Sequence, residues 1–78
     1  MSESFVTTLD VKGLACPMPV VKLAMAIKKI KVDEIIEVLA TDPGALADIP
    51  AWANKTGNEL LRHTKEDKII KFYVKRRK

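Results

Sequence analysis

Between residues 5 and 11 the chain alternates, with Phe5, Thr7, Leu9 and Val11 on one side and Val6, Thr8 and Asp10 on the other. A period of two predicts a first strand with one face more apolar. The period then lengthens. Val20, Leu23, Ala24, Ile27 and Ile30 recur at helical spacing and predict a helix over 17–30 that buries this stripe. Residues 35–40 read as a second strand, and their mostly apolar run predicts a central place in a sheet. Thr41-Asp42-Pro43-Gly44 has the composition of a turn. A short second helix follows, with Asp48 as its expected cap and Pro50 in its first turn. Ile49, Trp52, Ala53 and Thr56 share a face of it, and Gly57 closes it. Residues 59–64 predict a third strand, and Glu66-Asp67-Lys68 a tight turn. In the fourth strand, 69–75, Ile70, Phe72 and Val74 alternate with Lys71, Tyr73 and Lys75.

The predicted order is therefore β-α-β-α-β-β. Right-handed crossovers would place both helices on one face of a four-stranded mixed sheet, giving an α+β, two-layer sandwich. A length of 78 residues sets the expectation of a single domain over 1–78. No internal repeat or low-complexity segment interrupts it. No stretch approaches the roughly 20 apolar residues of a membrane span. Residues 1–4 are polar and include Glu3, unlike a signal peptide. The expectation is a cytoplasmic, reducing location with no membrane partner, and a monomer.

Charge adds a preference for partners. The chain carries 14 Lys and Arg against 10 Asp and Glu, a net +4. Much of the excess lies in Lys22, Lys28, Lys29 and Lys31 and in the tail Lys71, Lys75, Arg76, Arg77 and Lys78. Taken singly, most are a solvated surface; together they favour an acidic partner. Nucleic acid is not the expected one. The chain has four aromatic residues, Phe5, Trp52, Phe72 and Tyr73, and no stacking motif.

The distinctive chemistry is a single cysteine, Cys16, in the run Gly13-Leu14-Ala15-Cys16-Pro17-Met18-Pro19-Val20. Proline is tolerated in the first helical turn, so Pro17 is expected at the first helical position and Cys16 at the cap. Partial positive charge at a helix start favours an anion and lowers a thiol's pKa. The expectation is a thiolate-biased, nucleophilic sulfur, against the common alternative of a buried, inert cysteine. One cysteine excludes an intramolecular disulfide framework and a multi-cysteine zinc site. It also removes the Cys-x-x-Cys pair of thioredoxin-like chemistry.

These residues carry a resemblance. Leu9-Asp10-x-x-Gly13-x-x-Cys16-Pro17-x-Pro19-Val20, Thr41-Asp42-Pro43 with Asp48-Ile49-Pro50, and Gly57-Asn58-Glu59-Leu60-Leu61 are similar to the motifs of the TusA/SirA-like sulfur-carrier family. The resemblance implies that Cys16 accepts sulfane sulfur as a persulfide and hands it to a partner protein. It implies a cysteine desulfurase or rhodanese-like sulfurtransferase as donor and a sulfur-relay protein as acceptor. It implies a carrier rather than a complete enzyme, with no cofactor and no metal. Met18 stands between the prolines where tRNA-thiolation members carry Glu, and Asn58 where they often carry His.

Other residues are candidates beside Cys16. His63 is the only histidine and could serve the thiol as a base, but an ordinary strand histidine is the favoured reading. Asp42 is expected to fix its turn. Asp10 is left open between fixing a turn and raising the thiol pKa. Gly13 is expected to permit a turn, and Trp52 to lie in the core. Met18 beside Cys16 gives two soft ligands for Cu(I), a poor site. Met18, Lys22 and Lys28 are the candidate docking residues. Two rival functions stand beside sulfur carriage, an RNA-binding module and a thiol redox-regulatory module.

Overall fold

The computed structural model describes residues 5–78, so the expectation for the polar start at 1–4 lies outside the described residues. The elements run β1 (Thr7–Val11), α1 (Met18–Ile27), β2 (Ile35–Ala40), α2 (Ala45–Thr56), β3 (Glu59–Glu66) and β4 (Ile69–Lys75). The sheet order is β1-β2-β4-β3. β1 pairs in parallel with β2, while β4 is antiparallel to β2 and to β3. The expected α+β two-layer sandwich is therefore the fold, and the apolar β2 is central.

Period two in the strands and helical period in the helices meet in one core. Val11, Ile36, Val38, Ala40, Ile70, Phe72 and Val74 come from the sheet; Leu23, Ile27, Ala45 and Ile49 come from the helices. Ile36, Val38 and Ala40 alternate onto the helix-covered face, as β-pleat demands. Burial of these apolar groups is the principal driving force for the fold.

β1 starts at Thr7 rather than at 5, and β3 runs past 64 to Glu66, into the expected turn; three further local expectations change. α1 begins at Met18 and not at Pro17, because the Pro17 carbonyl accepts the first intrahelical bond, from Val21 N–H at 3.1 Å. Pro17 is thus the cap and Cys16 lies one residue outside the helix. The helix also ends earlier, at Ile27, where Lys29 N–H turns back to Ala26 O at 3.0 Å. Ile30 stays buried although it has left the helix.

α2 starts three residues before the expected cap. Asp42 organises the entry: its side chain accepts Gly44 N–H and its carbonyl accepts Ala45 N–H. Gly44 is then the cap, Asp48 lies in the first turn, and Pro50 sits inside the helix. A proline there costs a hydrogen bond. Ala45, Ile49 and Ala53, one stripe four residues apart, are all buried and outweigh it. Thr56, expected to share a face with Ile49, Trp52 and Ala53, is exposed and donates to Trp52 O at 2.8 Å. Gly57 closes the helix in the left-handed region, φ 80°, as expected.

The third change is on the sheet face away from the helices. Tyr73, which alternates with Ile70, Phe72 and Val74 and shares the opposite face with Lys71 and Lys75, is nonetheless buried. Its hydroxyl donates to Glu37 at 2.8 Å, and Thr8 Oγ1 donates to the same carboxylate at 2.9 Å. The Arg62 guanidinium lies 4.1 Å over its ring, and Phe5 packs beside it. A bulge in β3 between Leu60 and Arg62 sets Arg62 opposite Tyr73. Among the described residues no helix is long and apolar enough to cross a membrane.

Candidate functional site

The segment from β1 to α1 is held at two points. Gly13, at φ 82°, takes a conformation that L side chains rarely adopt. Its N–H donates to Thr41 Oγ1 at 2.8 Å. Three residues on, Cys16 N–H donates to Asp42 Oδ2 at 2.7 Å. The turn after β2 thus pins the turn after β1, and the parallel pairing of these strands brings the two turns to the same sheet end. Asp42 fixes its own turn, as expected, and also anchors the cysteine backbone.

Cys16 is exposed. Pro19, second residue of α1, is buried and seats the helix start on the core, while Pro17 is exposed. The sulfur does not cap α1; it reaches across to α2, where Sγ donates to Asp48 Oδ2 at 2.7 Å. This hydrogen bond to a carboxylate pushes the Cys16 thiol pKa up. Partial desolvation and the negative charges of Asp48 and Asp42 add to the effect. The expected lowering by the α1 terminus is therefore overturned. A carboxylate stabilises the neutral thiol, and no α1 side-chain cap bond holds the thiolate.

The sulfur lies on the wall of a surface cleft of about 330 Å³ between the helices. Pro17 and Val20 line it from α1, and Asp48, Ala51, Trp52 and Lys55 from α2. Trp52, expected in the core, packs partly buried against it and also lines this cleft. Pro17, Val20, Ala51 and Trp52 give the cleft an apolar side, and Asp48 and Lys55 set two opposite charges beside the sulfur.

The remaining candidates separate from the sulfur. Asp10 holds its own turn, accepting Lys12 N–H at 3.0 Å, with the Lys12 ammonium 3.9 Å away. His63 lies on β3, the far edge strand from β1, with its ring 5.9 Å from that of Phe72. Met18 is 39% exposed and begins an exposed apolar line on α1 that continues through Val21 and Met25. Lys22 and Lys28 are exposed, Lys28 as the C-cap of α1. Sequence reasoning missed Asp48 as the thiol's partner and Thr41 as the anchor of Gly13. Their one signal was that both lie in the motif that carries the resemblance.

The family model described as Sulfurtransferase TusA matches residues 7–76, which takes in every element and the whole cysteine turn. The chain belongs to the TusA family. Relatives named as candidate sulfur carrier proteins include YrkI and YrkF of Bacillus subtilis (strain 168). Each is 46% identical over 68 residues, or 87% of this chain. The match covers 91% of YrkI but only 37% of YrkF, so the chain spans little more than a third of the longer relative. A Halobacterium salinarum protein named in the same way is 51% identical over 72 residues, covering 91% of this chain and 89% of its own length. The crystal structure of a SirA-like protein from Desulfitobacterium hafniense superposes with a TM-score of 0.80. It covers 94% of this chain and all of its own at 19% identity, and so shows the shared TusA fold.

Proposed function

We propose that this TusA-family protein carries sulfane sulfur as a persulfide on Cys16 and passes it to a partner protein. The observation that carries the reading is an exposed thiol held by two backbone anchors at a cleft mouth, in a chain with no other cysteine. A carrier needs this much and little more. The sulfur must be reachable, its loop must be fixed, and no second thiol should discharge it within the chain. The donor is a protein persulfide, from a cysteine desulfurase or a rhodanese-like sulfurtransferase, and the acceptor is a sulfur-relay protein. Met18, Lys22 and Lys28 form the docking face with the apolar line of α1. The role belongs in a reducing compartment, where a free thiol persists.

Neither rival gains support. A redox sensor needs a readily ionised thiol, and Asp48 biases Cys16 the other way. An RNA platform needs several exposed aromatic faces, yet Phe72 and Tyr73 are buried, Trp52 is partly so, and Phe5 alone of the four is exposed. The test is loading and discharge with both donor types. Cys16→Ser is expected to take up no sulfur while its far-ultraviolet circular dichroism matches the parent. Sulfur uptake by that variant would contradict the assignment.

A further inference from the structure

We infer that Asp48 is the proton acceptor for the Cys16 thiol during sulfur loading, an inference that rests on the carrier reading above. The geometry singles it out. Asp42, the other carboxylate nearby, has both oxygens engaged by backbone donors, Cys16 N–H at 2.7 Å and Gly44 N–H at 3.2 Å. Asp48 Oδ2 receives the S–H itself at 2.7 Å, and among the described residues the Asp48 side chain has no other hydrogen bond or ion pair. It stands in the first turn of α2, where a helix favours negative charge. The charged groups around the sulfur are Asp48 and Lys55 from α2 and Asp42 from the preceding turn; α1 gives the cleft only Pro17 and Val20.

This arrangement resolves a conflict in the site. A thiol kept neutral is a weak nucleophile, yet the carrier must attack a sulfane sulfur. With a protein persulfide R–S–S–H as donor, the Cys16 Sγ lone pair attacks the outer sulfur as the Sγ proton passes to Asp48. The new Sγ–S bond forms and the donor's S–S bond breaks. The donor leaves as a thiolate, which takes the proton from Asp48. The sum is Cys16–S–H + R–S–S–H giving Cys16–S–S–H + R–S–H, with no external oxidant or reductant. Between transfers the same carboxylate keeps the thiol protonated and protected from stray oxidants.

Two readouts test this on the full chain and on Asp48→Asn, with Asp48→Glu as the conservative variant. The first is thiolate ultraviolet absorbance against pH, which needs no sulfur donor. Asp48→Asn is expected to titrate at lower pH than wild type. An unmoved midpoint would overturn the inference. The second is the loading rate from a persulfidated cysteine desulfurase. Wild-type loading is expected to be nearly level from about pH 6 to about pH 8. That of Asp48→Asn should follow its thiolate fraction and be at least about tenfold slower at the lower end. Asp48→Glu should restore part of the level profile. If wild type and Asp48→Asn both follow thiolate fraction, Asp48 only suppresses the anion and the proton-acceptor role is overturned. If wild type takes up no sulfur from any donor, the carrier reading itself falls and takes this role with it. The absorbance titration would still report the thiol–carboxylate contact in that case.

Discussion

Cys16 owes its position to the side chains of Thr41 and Asp42, which accept from backbone N–H groups of its turn, and its chemistry to a side chain 32 residues away. Gly13 is the more local part of that arrangement. A Cβ there would meet no atom within 4 Å, so the cost of Gly13→Ala comes from φ alone. We expect it to lower stability by about 1 kcal/mol, with Gly13→Asn costing less because Asn tolerates the left-handed region. Urea unfolding of the two variants checks this, and equal costs would contradict a purely conformational origin. The residue scale also shows where sequence reading stops. The cysteine, the glycine turn and the proline pair were legible as local features, but Pro17 and Cys16 each sit one place further out than expected, and Gly13 is pinned from Thr41, 28 residues away. The direction of the thiol shift was not legible. It depends on which of two helix starts the sulfur faces, and that is settled only when β2 lays Asp42 and α2 beside the cysteine turn.

At the scale of elements, boundaries were decided by burial more than by local preference. Pro50 argues for a helix starting just before it, and the buried stripe Ala45, Ile49, Ala53 starts it earlier. That shift moves Asp48 from a cap to the first turn, where its carboxylate serves the thiol. The fourth strand was legible to both ends because strict alternation marks it. The burial of Tyr73 was not, since it depends on cross-strand neighbours and on the β3 bulge. Tyr73→Phe removes one of two hydroxyl donors to the buried Glu37 carboxylate. It should cost about 1–2 kcal/mol with an unchanged denaturant slope. Burial and the Glu37 hydrogen bond also raise the Tyr73 pKa above 10.0. The unfolded chain then loses this proton first, so its contribution to stability is full below pH 10 and declines above it. Tyr73→Phe should therefore lose stability less steeply above that pH. Parallel alkaline unfolding curves for parent and variant would contradict this.

Over the whole molecule, one apolar layer joins the two helices to the sheet, and Phe72 is its largest fully buried side chain. A chain of this length has a total stability of only about 4–12 kcal/mol. Phe72→Ala, at about 3–5 kcal/mol, should remove about a quarter or more of it and lower the melting temperature by more than about 10 °C, as a thermal melt would show. Charge is distributed with a contrast: the molecule is net +4, while the sulfur sits beside two carboxylates. On the proposed carrier role, the basic surface would steer an acidic partner to the helix face while the thiol stays quiet until contact. If so, the rate of loading from an acidic donor falls as salt rises; a salt-independent rate would remove the basic face from docking. The central claim is tested most directly by the intact mass of the protein after incubation with a cysteine desulfurase and cysteine, and with a rhodanese and thiosulfate. Wild type is expected to gain the mass of one sulfur atom, lost again on reduction, while Cys16→Ser gains none. An unchanged wild-type mass with both donors, or an equal gain in Cys16→Ser, would contradict sulfur carriage on Cys16.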